Sequence, residues 1–191
     1  IKRDKGAKII VDGSSRTNFT NITLIMGEIE IKDNSLVRFI KPPDKATVYH
    51  NGNFTITNAT VITNDTHIMN GTYDGEVNII VKGINASLII EDGSNITNGD
   101  NQSANFNIIV EDGANLTIKD SHISNVGWAN NVGQRGLEIN ATNALVHNVT
   151  ITNSYNGITI YSNGANISNN KISNSTNYGI YLTDSNDSII Y

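Results

Sequence analysis

The chain predicts an all-β fold, a β-solenoid with three short parallel strands per coil, and three observations carry that expectation. Between Leu137 and Leu182 the apolar steps Ile139, Val146, Ile151 recur as Ile160, Ile167, Ile172, seven and five residues apart in both passes, and Leu182 to Ile189 begins a third. Glycine keeps the same beat: Gly136, Gly157 and Gly179 each stand just before an apolar, strand-like stretch. An asparagine follows the second step by two residues in both passes, Asn148 after Val146 and Asn169 after Ile167. A period of about 21 residues is too short for most helical arrays and fits one coil of stacked strands.

In such a coil alternate residues of each strand point inward, so Leu137 and Ile139 are expected inside, with Glu138 and Asn140 facing solvent. No rung buries its inner face alone; each hydrogen-bonds to neighbours about 4.8 Å above and below, which makes the sheets parallel. Asn148 and Asn169 fit a tight corner, because Asn and Asp tolerate the left-handed conformation. Asn153 and Asn174 follow the third strand and are expected to stack as amide ladders.

Taken in order, residues 7–12 read as a first strand closed by Gly13, and residues 14–18 as its loop. Residues 22–26, Ile29/Ile31 and Leu36 read as the three sides of a full rung, with Asp33 at its corner. Pro42 and Pro43 place residues 39–46 in a loop, since proline cannot donate to a ladder. The next rung runs through Val48, Phe54/Ile56, corner Asn58 and Ile62, and residues 65–76 are a loop. Residues 77–81, Leu88/Ile90, corner Asp92 and Ile96 follow; after a loop at residues 99–105 come residues 108–110, Leu116/Ile118, corner Asp120 and Ile123. A loop at residues 126–135 leads into the repeat. On this register the long loops all fall between third and first sides, along one flank, and Ile31, Ile56, Ile90, Ile118, Val146 and Ile167 form one inward column.

Composition bounds the rest. The 191 residues contain no proline-rich or flexible linker, so residues 1–191 read as one domain, expected to be a segment of a longer surface protein. Charged residues make up 16% and hydrophobic ones 38%, so the surface is polar chiefly through Asn, Ser and Thr. A net charge of −5 without a Lys/Arg cluster argues against a nucleic-acid partner. There is no cysteine, hence no disulfide or thiolate metal site, and no apolar run approaches the roughly 18 residues of a membrane span.

The three-sided rung, the Asx corners and the long loops on one flank resemble the right-handed parallel β-helix of the pectate-lyase superfamily, from about Ile22 to the C-terminus. That fold serves lyases, hydrolases, tailspikes, adhesins and surface-layer proteins alike. In the enzymes of this superfamily the cleft lies on the outer face of the first sheet, walled by those loops. The row expected there is Asn78, Ile109, Glu138, Thr159 and Tyr181, with one carboxylate, and the loops add Asp74, Glu76, Asp100 and Arg135. Calcium-dependent lyases need several carboxylates and a basic residue; glycosidases need two carboxylates about 5 to 9 Å apart. An enzymatic reading therefore pairs Glu138 with Asp100 or Glu76 and lets Arg135 clamp an acidic sugar; the competing one is solvated charges on a polar face. His50, His67, His122 and His147 show no metal-ligand spacing and read as sitting in unrelated registers. The Glu-Asp-Gly turns at residues 91–93 and 111–113 are of a kind that can touch calcium, with nothing further to support it, so no cofactor is expected. Tyr73 and Trp128 lie in loops on the same flank, where a ring can stack on a sugar or fold back over its own coil.

Asn-x-Ser/Thr occurs at Asn18, Asn21, Asn53, Asn58, Asn64, Asn70, Asn85, Asn95, Asn101, Asn115, Asn140, Asn148, Asn166, Asn174 and Asn186. Random placement in this composition gives about five such motifs. Strand alternation explains Asn53-Phe-Thr or Asn115-Leu-Thr, but not Asn64-Asp-Thr, Asn70-Gly-Thr or Asn101-Gln-Ser. The expectation is a non-enzymatic, N-glycosylated, extracellular structural module, similar to surface-layer and adhesin-like glycoproteins of archaea. Its partners would be copies of itself or neighbouring surface proteins. The alternative is a polysaccharide-active enzyme or carbohydrate-binding domain using the loop flank. The strand edge at Ile189-Ile190-Tyr191 is expected to continue into further chain or to stack on a neighbour.

Overall fold

The computed structural model describes residues 8–20, 23–40, 46–50, 52–70, 76–98 and 105–191. They form a parallel β-helix with three strands per coil and, among the described residues, no helix. The first coil is β1 (Lys8–Val11), β2 (Arg16–Thr20) and β3 (Thr23–Met26); the second is β4 (Glu28–Lys32), β5 (Leu36–Ile40) and β6 (Ala46–His50). Then come β7 (Phe54–Thr57), β8 (Thr60–Asn64) and β9 (Thr66–Asn70); β10 (Glu76–Lys82), β11 (Ser87–Glu91) and β12 (Asn95–Thr97); and β13 (Asn105–Val110), β14 (Asn115–Lys119) and β15 (His122–Ser124). The repeat region supplies β16 (Gly136–Ile139), β17 (Leu145–His147) and β18 (Thr150–Thr152), then β19 (Asn156–Ile160), β20 (Asn166–Ser168) and β21 (Lys171–Ser173), and finally β22 (Ile180–Leu182) and β23 (Ile189–Ile190). Every third strand pairs, giving a first sheet from β1 to β22, a second from β2 to β23 and a third from β3 to β21.

Registered columns of apolar side chains fill the interior. In the first sheet Ile31, Ile56, Val81, Val110, Ile139 and Ile160 stack in one line. In the second, Ile90, Ile118, Val146 and Ile167 do so. In the third the line is Val48, Ile68, Ile96, Ile123, Ile151 and Ile172. All but Ile172 are almost wholly buried, each worth about 1.5–3 kcal/mol in removal from water.

The single column expected from Ile31 to Ile167 is therefore two columns in adjacent sheets. Ile31 and Ile56 belong to the first sheet, and their corners Asp33 and Asn58 (φ 57° and 49°) turn the chain from the first sheet into the second. Asp65, Asp92, Asp120, Asn148 and Asn169, with φ between 44° and 55°, turn it from the second into the third. Both corners have the same signature, two inward apolar residues and then a left-handed Asx, so the pattern gives the period without the phase. Strands also replace two expected loops: β2 begins within residues 14–18 and runs on to Thr20, and β9 lies within residues 65–76. Each carries a single large inward apolar side chain, Phe19 and Ile68, among Thr, Asn, Arg and His. Phe19 stacks on Phe39 at 5.2 Å between centroids. Thr66, fully buried in β9, donates to the carbonyls of Phe39 and Asn64 at 3.2 and 3.0 Å.

With the phase corrected, residues 71–75, 99–104 and 125–135 connect the third sheet to the first, whereas residues 41–45 connect the second to the third. The glycine beat shifts once. Gly157 and Gly179 stack, but Gly136 pairs with Asn156 and Leu137 with Ile158, which leaves Gly157 as an extra, bulged residue.

Candidate functional site

The connection after β15 divides the loop flank into two hollows, one on the outer face of the first sheet and one along the corner between third and first sheets. Gly127 begins it at φ 78°, where a Cβ would stand 2.5 Å from the Arg135 carbonyl carbon, so only glycine fits. Its N–H donates to the Phe106 carbonyl at 2.8 Å, and the N–H groups of Trp128 and Ala129 both donate to the carbonyl of Gln134. Asn107 seals the other end: its side-chain amide donates to the Gly133 carbonyl and accepts the N–H of Gly136 at 2.9 Å.

Glu138 is the centre of the first hollow. It points outward from β16 but is only 2% exposed, because this loop folds over it. Its carboxylate accepts the N–H of Gly133 at 2.9 Å, the N–H of Arg135 at 2.7 Å and the phenol of Tyr161 at 3.0 Å. Arg135 donates to the Tyr161 hydroxyl at 2.7 Å and to the Asn130 carbonyl, and lies over the rings of Tyr161 and Tyr181 at 5.7 and 5.6 Å. Burial, with the Glu138 charge beside it, pushes the Tyr161 phenol up to about 12, so it stays protonated and donating. The hollow of about 370 Å³ is completed by Ile109, Val110, Glu111, Val132 and Asn140. Chemically this is a carboxylate held by three donors, an arrangement that fastens a loop.

The outward row expected on this sheet is found with one substitution: Ile80 pairs with Ile109, then Glu138, Thr159 and Tyr181, while Asn78 pairs with Asn107. Glu76 opens β10, exposed, and accepts from the Asn78 amide at 3.2 Å. Asp74, Asp100 and Tyr73 lie outside the described residues. His67 and His122, expected in unrelated registers, both pair with Asn95 in the third sheet and so share one outward row. Among the described residues no three His, Asp or Glu side chains gather as a metal site. Asp92, of the first Glu-Asp-Gly turn, accepts the Asn64 amide at 2.5 Å.

Sequence reasoning proposed amide stacking at Asn153 and Asn174 but attached no function to it. Asn125, Asn153 and Asn174 end the third-sheet strands of consecutive coils, all left-handed at φ 58°, 55° and 57°. The Asn174 amide donates to Asn153 Oδ1 at 3.2 Å, and the Asn125 amide to Thr97 Oγ1 at 3.3 Å. They form the floor of a second hollow of about 370 Å³, walled by Trp128 and closed by Asn98, Asn105, Phe106, Gly127, Ser154 and Thr176. The repeated asparagine after each third strand was the signal available in the sequence.

No described glycosylation motif has a buried asparagine. Asn18, Asn58, Asn85, Asn115, Asn140, Asn148, Asn174 and Asn186 are exposed, and Asn53, Asn64, Asn95 and Asn166 half-buried. Asn21 and Asn101, and the side chain of Asn70, lie outside the described residues. The Nδ2 groups of Asn64 and Asn148 are engaged by Asp92 and Asp120, and that of Asn115 donates to the Ala86 carbonyl. Comparison with protein-family models, curated proteins and solved structures finds no match to the chain.

Proposed function

We propose that the chain is a non-enzymatic, N-glycosylated module of an extracellular, cell-surface protein, a rigid rod of the surface-layer or adhesin type. The observation that carries this reading is the distribution of the acceptor asparagines. The twelve described motifs all have an asparagine that reaches solvent, and they lie on every side of the coil. Asn58, Asn85, Asn140 and Asn186 stand at the corner between first and second sheets, Asn148 between second and third, and Asn174 between third and first. A sugar coat on all sides suits a rod exposed along its length and leaves little open face for a polymeric substrate. The resemblance to pectate-lyase-like helices and to archaeal surface glycoproteins rests on the three-sided coil, its Asx corners and this motif density.

The state of Glu138 supports the non-enzymatic side, since a carboxylate already accepting three hydrogen bonds is poorly placed to move a proton or attack a sugar. Copies of the same chain or neighbouring surface proteins are the proposed partners. The test is the intact mass of protein purified from the cells that make it, followed by peptide mapping. Glycan at several of Asn18, Asn58, Asn85, Asn140 and Asn186 is expected, because these are exposed and their side chains donate no hydrogen bond among the described residues. A mass equal to the bare polypeptide removes the proposal.

A further inference from the structure

We propose that the corner groove binds neutral carbohydrate, held by the side-chain amides of Asn125, Asn153 and Asn174 and stacked on Trp128. The lining is the first argument. Among the described residues it contains amides, hydroxyls, glycine and two aromatic rings, and no charged side chain. An acidic sugar would shed water there with nothing opposite to balance its charge, whereas a neutral one loses little that amides do not replace.

Unused hydrogen-bonding capacity is the second. An amide has two N–H donors and a carbonyl acceptor, and vicinal sugar hydroxyls both donate and accept. Asn174 and Asn125 each use a donor inside the protein, but the donors of Asn153 and the acceptors of Asn125 and Asn174 have no side-chain partner among the described residues. The three amides repeat at the strand spacing of about 4.8 Å, a linear row that suits an extended sugar chain better than a compact ligand. Their left-handed backbones are also fixed by the ladder, with the Asn125 and Asn153 N–H groups donating to the carbonyls of Thr152 and Ser173. Little ordering is left for binding to supply.

Trp128 is the third. It is half-buried in the wall, on a loop tied down by the bonds to Gln134 and by Glu138, so its ring is presented on a rigid support. The groove's volume of about 370 Å³ lies inside the usual range for small-molecule sites, about 300–1,000 Å³. Asn174 also heads an acceptor motif, Asn174-Ser-Thr, so the sugar can arrive free or already tethered at the groove's end. The site is independent of the surface-module reading: the mass of the natural protein can match the bare chain while the groove binds sugar, and the reverse.

The chain's only tryptophan is the reporter. In one arm, unglycosylated protein is titrated to about 10 mM, past the weak end of specific binding, with cellohexaose, mannohexaose, xylohexaose and, as acidic counterpart, oligogalacturonate. In the other, protein from a glycosylating host is read before and after enzymatic release of its glycans. Expected is a saturable change in Trp128 emission with a neutral oligosaccharide, or a change on glycan release. In the first arm Asn153→Ala should weaken binding about tenfold or more. Should Asn153→Ala melt below the parent, Asn153→Ser and calorimetry on Trp128→Ala make the same comparison. Silence in both arms, a response to oligogalacturonate alone, or undiminished binding in folded variants overturns the proposal.

Discussion

Ile118 shows at one position what the interior demands. It is wholly buried in the core, with Ile90 on the coil before and Val146 on the coil after, both wholly buried as well. Ile118→Asp would set an unpaired charge in a dry column, and a loss of more than about 4 kcal/mol is expected from denaturant unfolding. His50 makes a second demand. Its Nδ1 faces the Gly52 carbonyl at 2.8 Å, so that nitrogen carries the proton; Nε2 is buried without a partner among the described residues, and the ring packs edge-on against Phe54 and Phe106. Burial pushes this imidazole down to about 4, the bond to Gly52 offsetting only part. The unfolded chain then takes up a proton at higher pH than the folded one. Stability is therefore full above about 6.5 and falls as pH drops towards about 4, by on the order of 3 kcal/mol. Melting between pH 7 and 4 should show that fall, and His50→Phe should flatten it. At this scale much was legible. The third-sheet column Ile96, Ile123, Ile151, Ile172 follows from apolar spacing alone, whereas Thr63 in the second-sheet column and Thr66 in β9 are inward hydroxyls that a polarity pattern assigns to solvent.

Among the elements, the connection from β15 to β16 shows where reading by pattern stops. Alternation places Glu138 on the outside of its strand, which is correct, and predicts a solvated charge, which is not. The difference is made by a loop whose path is set by Gly127, by Asn107 from the preceding coil and by Tyr161 from the following one. Contacts between coils leave no local trace in the sequence. Glu138→Gln replaces an acceptor of three hydrogen bonds by a group that must turn a donor towards one of them, which should cost about 1–3 kcal/mol and loosen the loop. Proteolysis within residues 127–135, faster in the variant while the core melts near the parent's temperature, is the expected outcome. The same pair of proteins, assayed for reducing ends and unsaturated products over acidic and neutral polysaccharides, should show no turnover; activity that disappears in Glu138→Gln would overturn the non-enzymatic reading.

For the whole molecule, the period was legible and the phase was not. Seven- and five-residue steps fix three strands per coil, but the corner at Asn58 and the corner at Asp92 look alike in one dimension while turning the chain at different edges of the prism. Only registered pairing, such as Ile56 beside Val81 and Thr63 beside Ile90, separates them. That pairing also sets how the molecule bears load. Its interstrand hydrogen bonds run along the long axis, and each coil touches only the coils above and below. Tension applied to the two chain ends would act on the outermost coil first and peel it from the stack. Each released coil, of roughly 20–30 residues, adds on the order of 70–100 Å of slack chain. Single-molecule pulling should accordingly give a staircase of small, unequal yields, longer for the coils with extended connections and shortest for the compact coils that begin at β1 and β16, 20 residues from Val11 to Ile31 and 21 from Ile139 to Ile160, so that the rod dissipates force gradually and keeps most of its length while a few coils come and go.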